Sequence, residues 1–160
     1  MIFKYVIFLL SLCNSSALAN NKPFNKIPLI SQNGEKLNWT NYEILIIASK
    51  SSSDFAQKWS TEISKHKNID KTELCAIACI PKWMVRSFSS RFIIKKSICM
   101  YENKIPIYID WGETFAKLNN IVEYPTLIVL KHDNDSTYEV GRISGEYSNH
   151  LWKKLLILIK

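Results

Sequence analysis

The sequence predicts one α/β domain built on a mixed central sheet, with helices on both faces and an amino-terminal β-hairpin. Three observations carry this. Two continuous apolar runs, "EILIIAS" (Glu43–Ser49) and "TELCAIACI" (Thr72–Ile80), read as strands buried on both faces. Segments of helical apolar spacing follow each run, which calls for parallel crossovers. Later, two strand-like runs flank "HDNDS" (His132–Ser136) and read as an antiparallel hairpin at one edge.

The elements follow in chain order. Residues 1–19 have the pattern of an export signal: Lys4, then the apolar core "YVIFLLSL" (Tyr5–Leu12), then "ALA" (Ala17–Ala19) with small residues at the cleavage positions. The core is too short for a permanent membrane-spanning helix. Cleavage after Ala19 is expected; an uncleaved anchor or a lipid on Cys13 is the alternative, the latter disfavoured by the large Leu12 before it. Residues 20–160 then form the domain. Asn33-Gly34 supplies the positive-φ residues of a tight turn, so "IPLI" (Ile27–Ile30) and "KLNW" (Lys36–Trp39) are its strands.

After the Glu43–Ser49 strand a helix is expected from Ser53, with Phe55, Ala56, Trp59 and Ile63 on one face. The serines are good caps, and Asp54 suits the positive end of the helix dipole. After the second strand, Pro81 suits the first turn of a helix with Met84, Val85, Phe88 and Phe92 as its stripe. "KIPIYID" (Lys104–Asp110) is the third strand, Gly112–Asn120 a short helix with Phe115 and Leu118, and Pro125–Lys131 the fourth strand. Thr137–Ile143 is the fifth. A helix from Ser148 closes the chain, with Leu151, Leu155, Leu158 and Ile159 on one side.

The formal net charge is +7. That excess suits solubility and an acidic partner or anionic membrane surface. No dense basic stripe with interleaved aromatics argues for nucleic acid, and none is expected as a partner. Pro81–Lys96 is the densest basic and aromatic stretch. It reads either as an amphipathic helix with a solvated basic face or as a peripheral contact with an anionic membrane surface.

Cys75, Cys79 and Cys99 remain after cleavage. On a strand Cys75 and Cys79 lie roughly 13 Å apart, beyond the about 7 Å a disulfide tolerates between Cα atoms. Cys79 could pair with Cys99; the alternative is inert core thiols. No CxxC or HxxxH spacing occurs, so neither a metal site nor a cofactor is expected.

The element order, "VEYPTLIVL" (Val122–Leu130), "GRISG" (Gly141–Gly145) and "DWGETFAKLNNIVEYPT" (Asp110–Thr126) resemble the thioredoxin superfamily, closest to its exported TlpA-like and peroxiredoxin-like branch. The resemblance implies a thioredoxin-like three-layer fold. It implies a cis peptide before Pro125, with Tyr124 lining a groove that shows a main-chain edge to a peptide. It also implies that "IIASKSSSD" (Ile46–Asp54) stands where active members carry a CxxC, with Ser51 at the attacking cysteine and Asp54 at the resolving one. A serine has no disulfide state and Asp54 is not a thiol, so the ordinary redox cycle is impossible at this loop. Ser51 as a hydrolytic nucleophile would need a base beside it, and none of His66, His132 or His150 is expected there. Some exported thioredoxin-like proteins, including the YtfJ type, similarly lack the paired cysteines.

The expected function is therefore a monomeric, non-catalytic module of the periplasm. It would bind a protein or extended peptide through Ser51, Ser52, Ser53, Asp54, Trp111, Tyr124, Pro125 and Thr126. One alternative is a thiol-disulfide oxidoreductase using Cys79 with Cys99; another is a structural subunit docking through Pro81–Lys96.

Overall fold

The computed structural model describes residues 22–99, 105–134 and 136–160. The expected signal segment, 1–19, lies outside the described residues. The elements are β1 (Lys22–Pro23), β2 (Ile30–Ser31), β3 (Ile44–Ala48), α1 (Ser53–Lys65), β4 (Leu74–Ile80), α2 (Phe88–Cys99), β5 (Ile107–Trp111), α3 (Thr114–Leu118), β6 (Thr126–Asp133), β7 (Ser136–Ser144) and α4 (Asn149–Leu158).

Seven strands form one sheet in the order β1-β7-β6-β3-β4-β5-β2. β3 runs parallel to β4, and β4 to β5, because each pair is joined through a helix. β6 returns antiparallel to β3, and β7 antiparallel to β6 across a short turn, with a bulge between Val129 and Leu130. The apolar runs are continuous because both faces of the sheet are covered. Ile44 and Ile46 join Trp59, Ile63, Leu74, Leu127, Val129 and Leu155 on one face. Leu45 and Ile47 join Cys75, Ile77, Tyr108, Phe115, Ile128 and Leu130 on the other.

The first face is covered by α1 and α4. Trp59 and Ile63 are fully buried, and burying each stabilises the fold by about 1.5–3 kcal/mol. Ser148 caps α4 by accepting from Leu151 N–H at 3.3 Å. α4 can lie close on β7 because Gly141 has no side chain: a Cβ there would stand 2.6 Å from Leu158 Cδ2. The second face is covered by α3 and the segment before β3. Phe24, Trp39 and Phe115 form an aromatic cluster there, with Trp39 stacked on Phe115 at 5.5 Å between ring centres.

The chain turns at Asn33-Gly34: Leu37 N–H donates to Leu29 O at 2.9 Å, Ser31 N–H donates to Glu35 O at 2.8 Å, and Ile30 and Lys36 share an antiparallel bridge, while β2 also pairs with β5. Two expectations need correction. Phe55 is 38% exposed, while Ala56, Trp59 and Ile63 of the same helix pack into the core. Most clearly, the helix expected from Pro81 starts at Phe88. A short 3-10 turn at Lys82–Met84 intervenes, and Ser87 and Ser90 then cap each other: Ser90 N–H donates to Ser87 Oγ, and Ser87 N–H to Ser90 Oγ, both at 3.1 Å. The expected inward residues Phe88 and Phe92 are 88% and 65% exposed. The residues facing inward are Ile94 and Ile98. They close a largely apolar cavity of about 370 Å³ whose floor is Ala48, Ala76, Ala78 and Ile80.

Candidate functional site

The carboxyl ends of β3, β4 and β5 and the amino end of β6 meet at one edge of the sheet. Thr126 is in register with Ile47. One step further, Pro125 stands opposite Ala48 and next to the loop that leads into α1. The Tyr124–Pro125 peptide is cis.

On the loop side, the serines bond one another. Ser49 N–H donates to Ser52 Oγ at 3.0 Å, and Ser49 Oγ lies 3.0 Å from Ser51 Oγ. Ser53 Oγ–H donates to Lys50 O at 2.9 Å. Ser52 is buried, while Ser51 and Asp54 are exposed. These bonds form a reciprocal Ser49–Ser52 box around the 3-10 turn Lys50–Ser52 that precedes the helix. Contrary to the expected capping by the serines, Ser52, the residue before α1, makes no side-chain bond to the N–H groups of the helix. Ser51 has only a serine hydroxyl beside it. His66 is at the far end of α1 against the Trp152 ring, His132 bonds Tyr42 O at 2.8 Å and Thr137 Oγ1 at 3.0 Å, and His150 is exposed in the first turn of α4. None hydrogen-bonds Ser51, so among the described residues no histidine is placed to activate the hydroxyl.

On the proline side, Thr126 Oγ1–H donates to Glu123 O at 2.7 Å and its oxygen lies 2.7 Å from Ser144 Oγ. Gly145 N–H donates to Pro125 O at 2.9 Å, and Trp59 Nε1–H donates to Gly145 O at 3.0 Å. α1 is thus tied to the cis-proline turn through Gly145. Arg142 fixes the preceding connection. Its Nη1–H donates to Asn119 O at 3.0 Å and Asn120 O at 3.2 Å, while Nε and Nη2 hold the two Glu139 carboxylate oxygens at 2.6 Å. The backbone N–H and C=O of Tyr124 bond no group among the described residues, which leaves a short main-chain edge open.

The register therefore places Pro125 at the strand end from which Ser51, Ser52, Ser53 and Asp54 follow. Thr126 is buried and acts as a support beneath the turn. The Tyr124 ring packs against the core, and its hydroxyl lies near Cys79 inside it. Trp111 stands at the same edge but two strands away from β3, with the Arg91 guanidinium 5.6 Å from its ring centre.

The thiols lie below this edge. Cys75 and Cys79 are free and fully buried. Burial pushes both thiol pKa values well above the ordinary range, and for Cys79 the nearby Asp110 carboxylate adds to the effect. Cys79 is thus not disulfide-bonded to Cys99, whose side chain lies outside those described; β4 turns the Cys79 thiol into the core, where it faces Tyr124 and Asp110.

Asp110, to which the sequence assigns no role, is 1% exposed. Its carboxylate accepts from Phe115 N–H and Ala116 N–H, both at 3.0 Å, and from the Cys79 thiol at 3.8 Å. Glu113, the residue just before α3, is left-handed at φ 59° and makes no side-chain cap, so Asp110 caps the helix from the strand before it. Among the described residues no group of three His, Cys, Asp or Glu side chains is arranged to hold a metal.

No family model and no curated protein matches the chain. Solved structures do. The pneumococcal exposed lipoprotein thioredoxin Etrx1 of Streptococcus pneumoniae TIGR4 is 14% identical at a TM-score of 0.61, covering 83% of this chain and 98% of its own. The amino-terminal domain of PilB from Neisseria gonorrhoeae is 15% identical at 0.58, with coverage of 82% and 87%. A thiol-disulfide isomerase from Corynebacterium glutamicum is 14% identical at 0.57, with coverage of 85% and 94%. With the mixed sheet, the covering helices and the cis-proline turn beside the first crossover loop, the chain has the thioredoxin-like α/β fold.

Proposed function

We propose that this chain is a non-catalytic thioredoxin-fold module of the cell envelope, which holds an extended segment of a protein or peptide at the edge between the Ser49–Ser53 loop and Pro125. One observation carries the reading. At the edge where a thioredoxin-like fold would present a thiol, this chain presents hydroxyls already bonded to one another, while Cys75 and Cys79 are sealed in the core. A thiolate is the species that attacks a disulfide, and burial disfavours it at both positions. What the edge retains is recognition: the unpaired backbone of Tyr124 suits the main-chain hydrogen bonds of an extended peptide. The amino-terminal export pattern supports a periplasmic location. A similar fold in an exposed lipoprotein thioredoxin is compatible with that.

Reductant-driven reduction of insulin disulfides, run beside an active thioredoxin, tests the catalytic half of this reading. Background turnover is expected. Turnover that vanishes in Cys79→Ser would overturn it in favour of the oxidoreductase alternative. An array of extended peptides tests the binding half. Capture should be lost in Ser51→Arg, which crowds the edge without touching the core. Capture unchanged by that substitution would place the binding elsewhere.

A further inference from the structure

Helix α2 is apolar on two sides, and the protein covers only one of them. Ile94 and Ile98 face the cavity over the sheet. Phe88 and Phe92, one turn apart, face outward at 88% and 65% exposure, and Trp83 in the turn before α2 is 67% exposed. Scattered single apolar residues on a surface need no explanation, but three large aromatics within one short segment do. The same segment, Pro81–Ile98, carries Lys82, Arg86, Arg91, Lys95 and Lys96 and no acidic residue. Residues 88, 91, 92 and 95 share one stripe of a helix, so Phe, Arg, Phe and Lys follow one another along the exposed side.

We propose that this face docks on an anionic lipid surface, with Trp83, Phe88 and Phe92 at the headgroup level and the five cations against lipid phosphates. The composition matches what such an interface needs: aromatic rings that are comfortable at the boundary of water and hydrocarbon, and cations that gain from a negative surface potential. The same charge disfavours the rival occupant. In a symmetric pair of copies the patch would meet itself, five cations against five. The shallow depression beside it is also net basic, lined by Lys82, Trp83, Arg86 and Lys117 with Glu113. Among the described residues no helix is long and apolar enough to cross a membrane, so this contact is peripheral. It is also well placed. The segment leaves the sheet at the carboxyl end of β4, and Arg91 lies over Trp111 at that edge. Docking would hold the edge that carries Pro125 close to the membrane plane.

The test is cosedimentation of the full chain with vesicles of phosphatidylcholine alone, or of phosphatidylcholine and phosphatidylglycerol in equal parts. Wild type is compared with Phe88→Ser/Phe92→Ser. Both proteins carry the same amino terminus, so the difference between them reports on α2. Wild type should partition onto the mixed vesicles, less so as salt rises. The double variant should lose at least about tenfold of that partitioning, and Lys95→Ala or Lys96→Ala about fivefold each. Brominated lipid should quench wild-type tryptophan emission more than that of Trp83→Phe, a readout independent of the serine variants' fold. Equal partitioning of wild type and double variant, or equal quenching with and without Trp83, would overturn the proposal. So would self-association of the lipid-free wild type that the double variant abolishes, which would assign the face to a second copy.

Discussion

Helices α1 and α2 hold equivalent places in the chain. Each follows a parallel strand and lines the same cavity over the same face of the sheet. They use their apolar residues in opposite ways. α1 buries Trp59 and Ile63 completely, and Trp59 is further tied by its bond to Gly145. α2 leaves Phe88 and Phe92 in solvent and sets Ile94 and Ile98 only partly into the cavity wall. A helix with one apolar stripe has one way to lie on a sheet. A helix with two stripes leaves one of them for something outside the chain.

That contrast can be broken by measurement. The largest effect belongs to α1. Trp59→Ala should destabilise the fold by about 3–5 kcal/mol, read as a shift of the urea midpoint. A cost similar to that of a substitution in α2 would mean that α1 is not the anchor described above.

Next comes the end of β5. Asp110→Ala should cost about 1–3 kcal/mol, because the Phe115 and Ala116 N–H groups would be left buried without their acceptor. A smaller loss would show that water reaches these groups. Alkaline pH probes the same core. The Cys75 and Cys79 pKa values are raised in the folded state, so above about pH 9 only the unfolded chain releases these protons. The thiols' contribution should be constant below that pH, and stability should then fall by about 1.4 kcal/mol per pH unit for each thiol. Tyr42, Tyr108 and Tyr124, all raised by burial, add to the fall at higher pH. Equilibrium unfolding of Cys75→Ala/Cys79→Ala should show a shallower slope just above pH 9; an unchanged slope would show that the thiols are not the source. The smallest effect sharpens the other side of the comparison. Phe92→Ala should change stability by no more than about 0.5 kcal/mol, as expected for a side chain that is 65% exposed.

The same contrast marks what could be read from the sequence. β3 and β4 were legible because uninterrupted apolar runs have few other homes than a covered sheet. The start of α1 at Ser53 was legible from where the apolar run ends, but the expected capping was not: the serine bonds close the 3-10 turn before the helix and leave its first N–H groups without a side-chain cap. α2 was not, for two physical reasons. Pro81 is as good a first-turn residue as Ser87 is a cap, and only the reciprocal Ser87–Ser90 bonds decide between them. And a helix apolar on both sides carries no periodic signal to say which side faces in. At the candidate edge, the turn at Tyr124–Pro125 came from a family resemblance and not from the residues themselves. Asp110 was hidden because its role is non-local: it serves N–H groups five and six residues ahead, after Glu113 has taken a left-handed conformation.

The Arg142 clamp has a consequence for how this chain can vary. Its guanidinium grips the carbonyls of Asn119 and Asn120, and Asn119 is also pinned to Asn25, by Asn25 N–H at 3.1 Å and through its own Nδ2–H to Asn25 O at 3.0 Å. The stretch from Asn119 to Pro125 is therefore held at both ends, and an added or deleted residue would have to break one of these grips. Among the described residues no such grip spans the stretch from Pro81 to Ser87, which closes on its own turns. Length changes among chains of common descent should collect in that stretch and be scarce between α3 and β6, leaving one crossover as a ruler and the other as an adjustable arm.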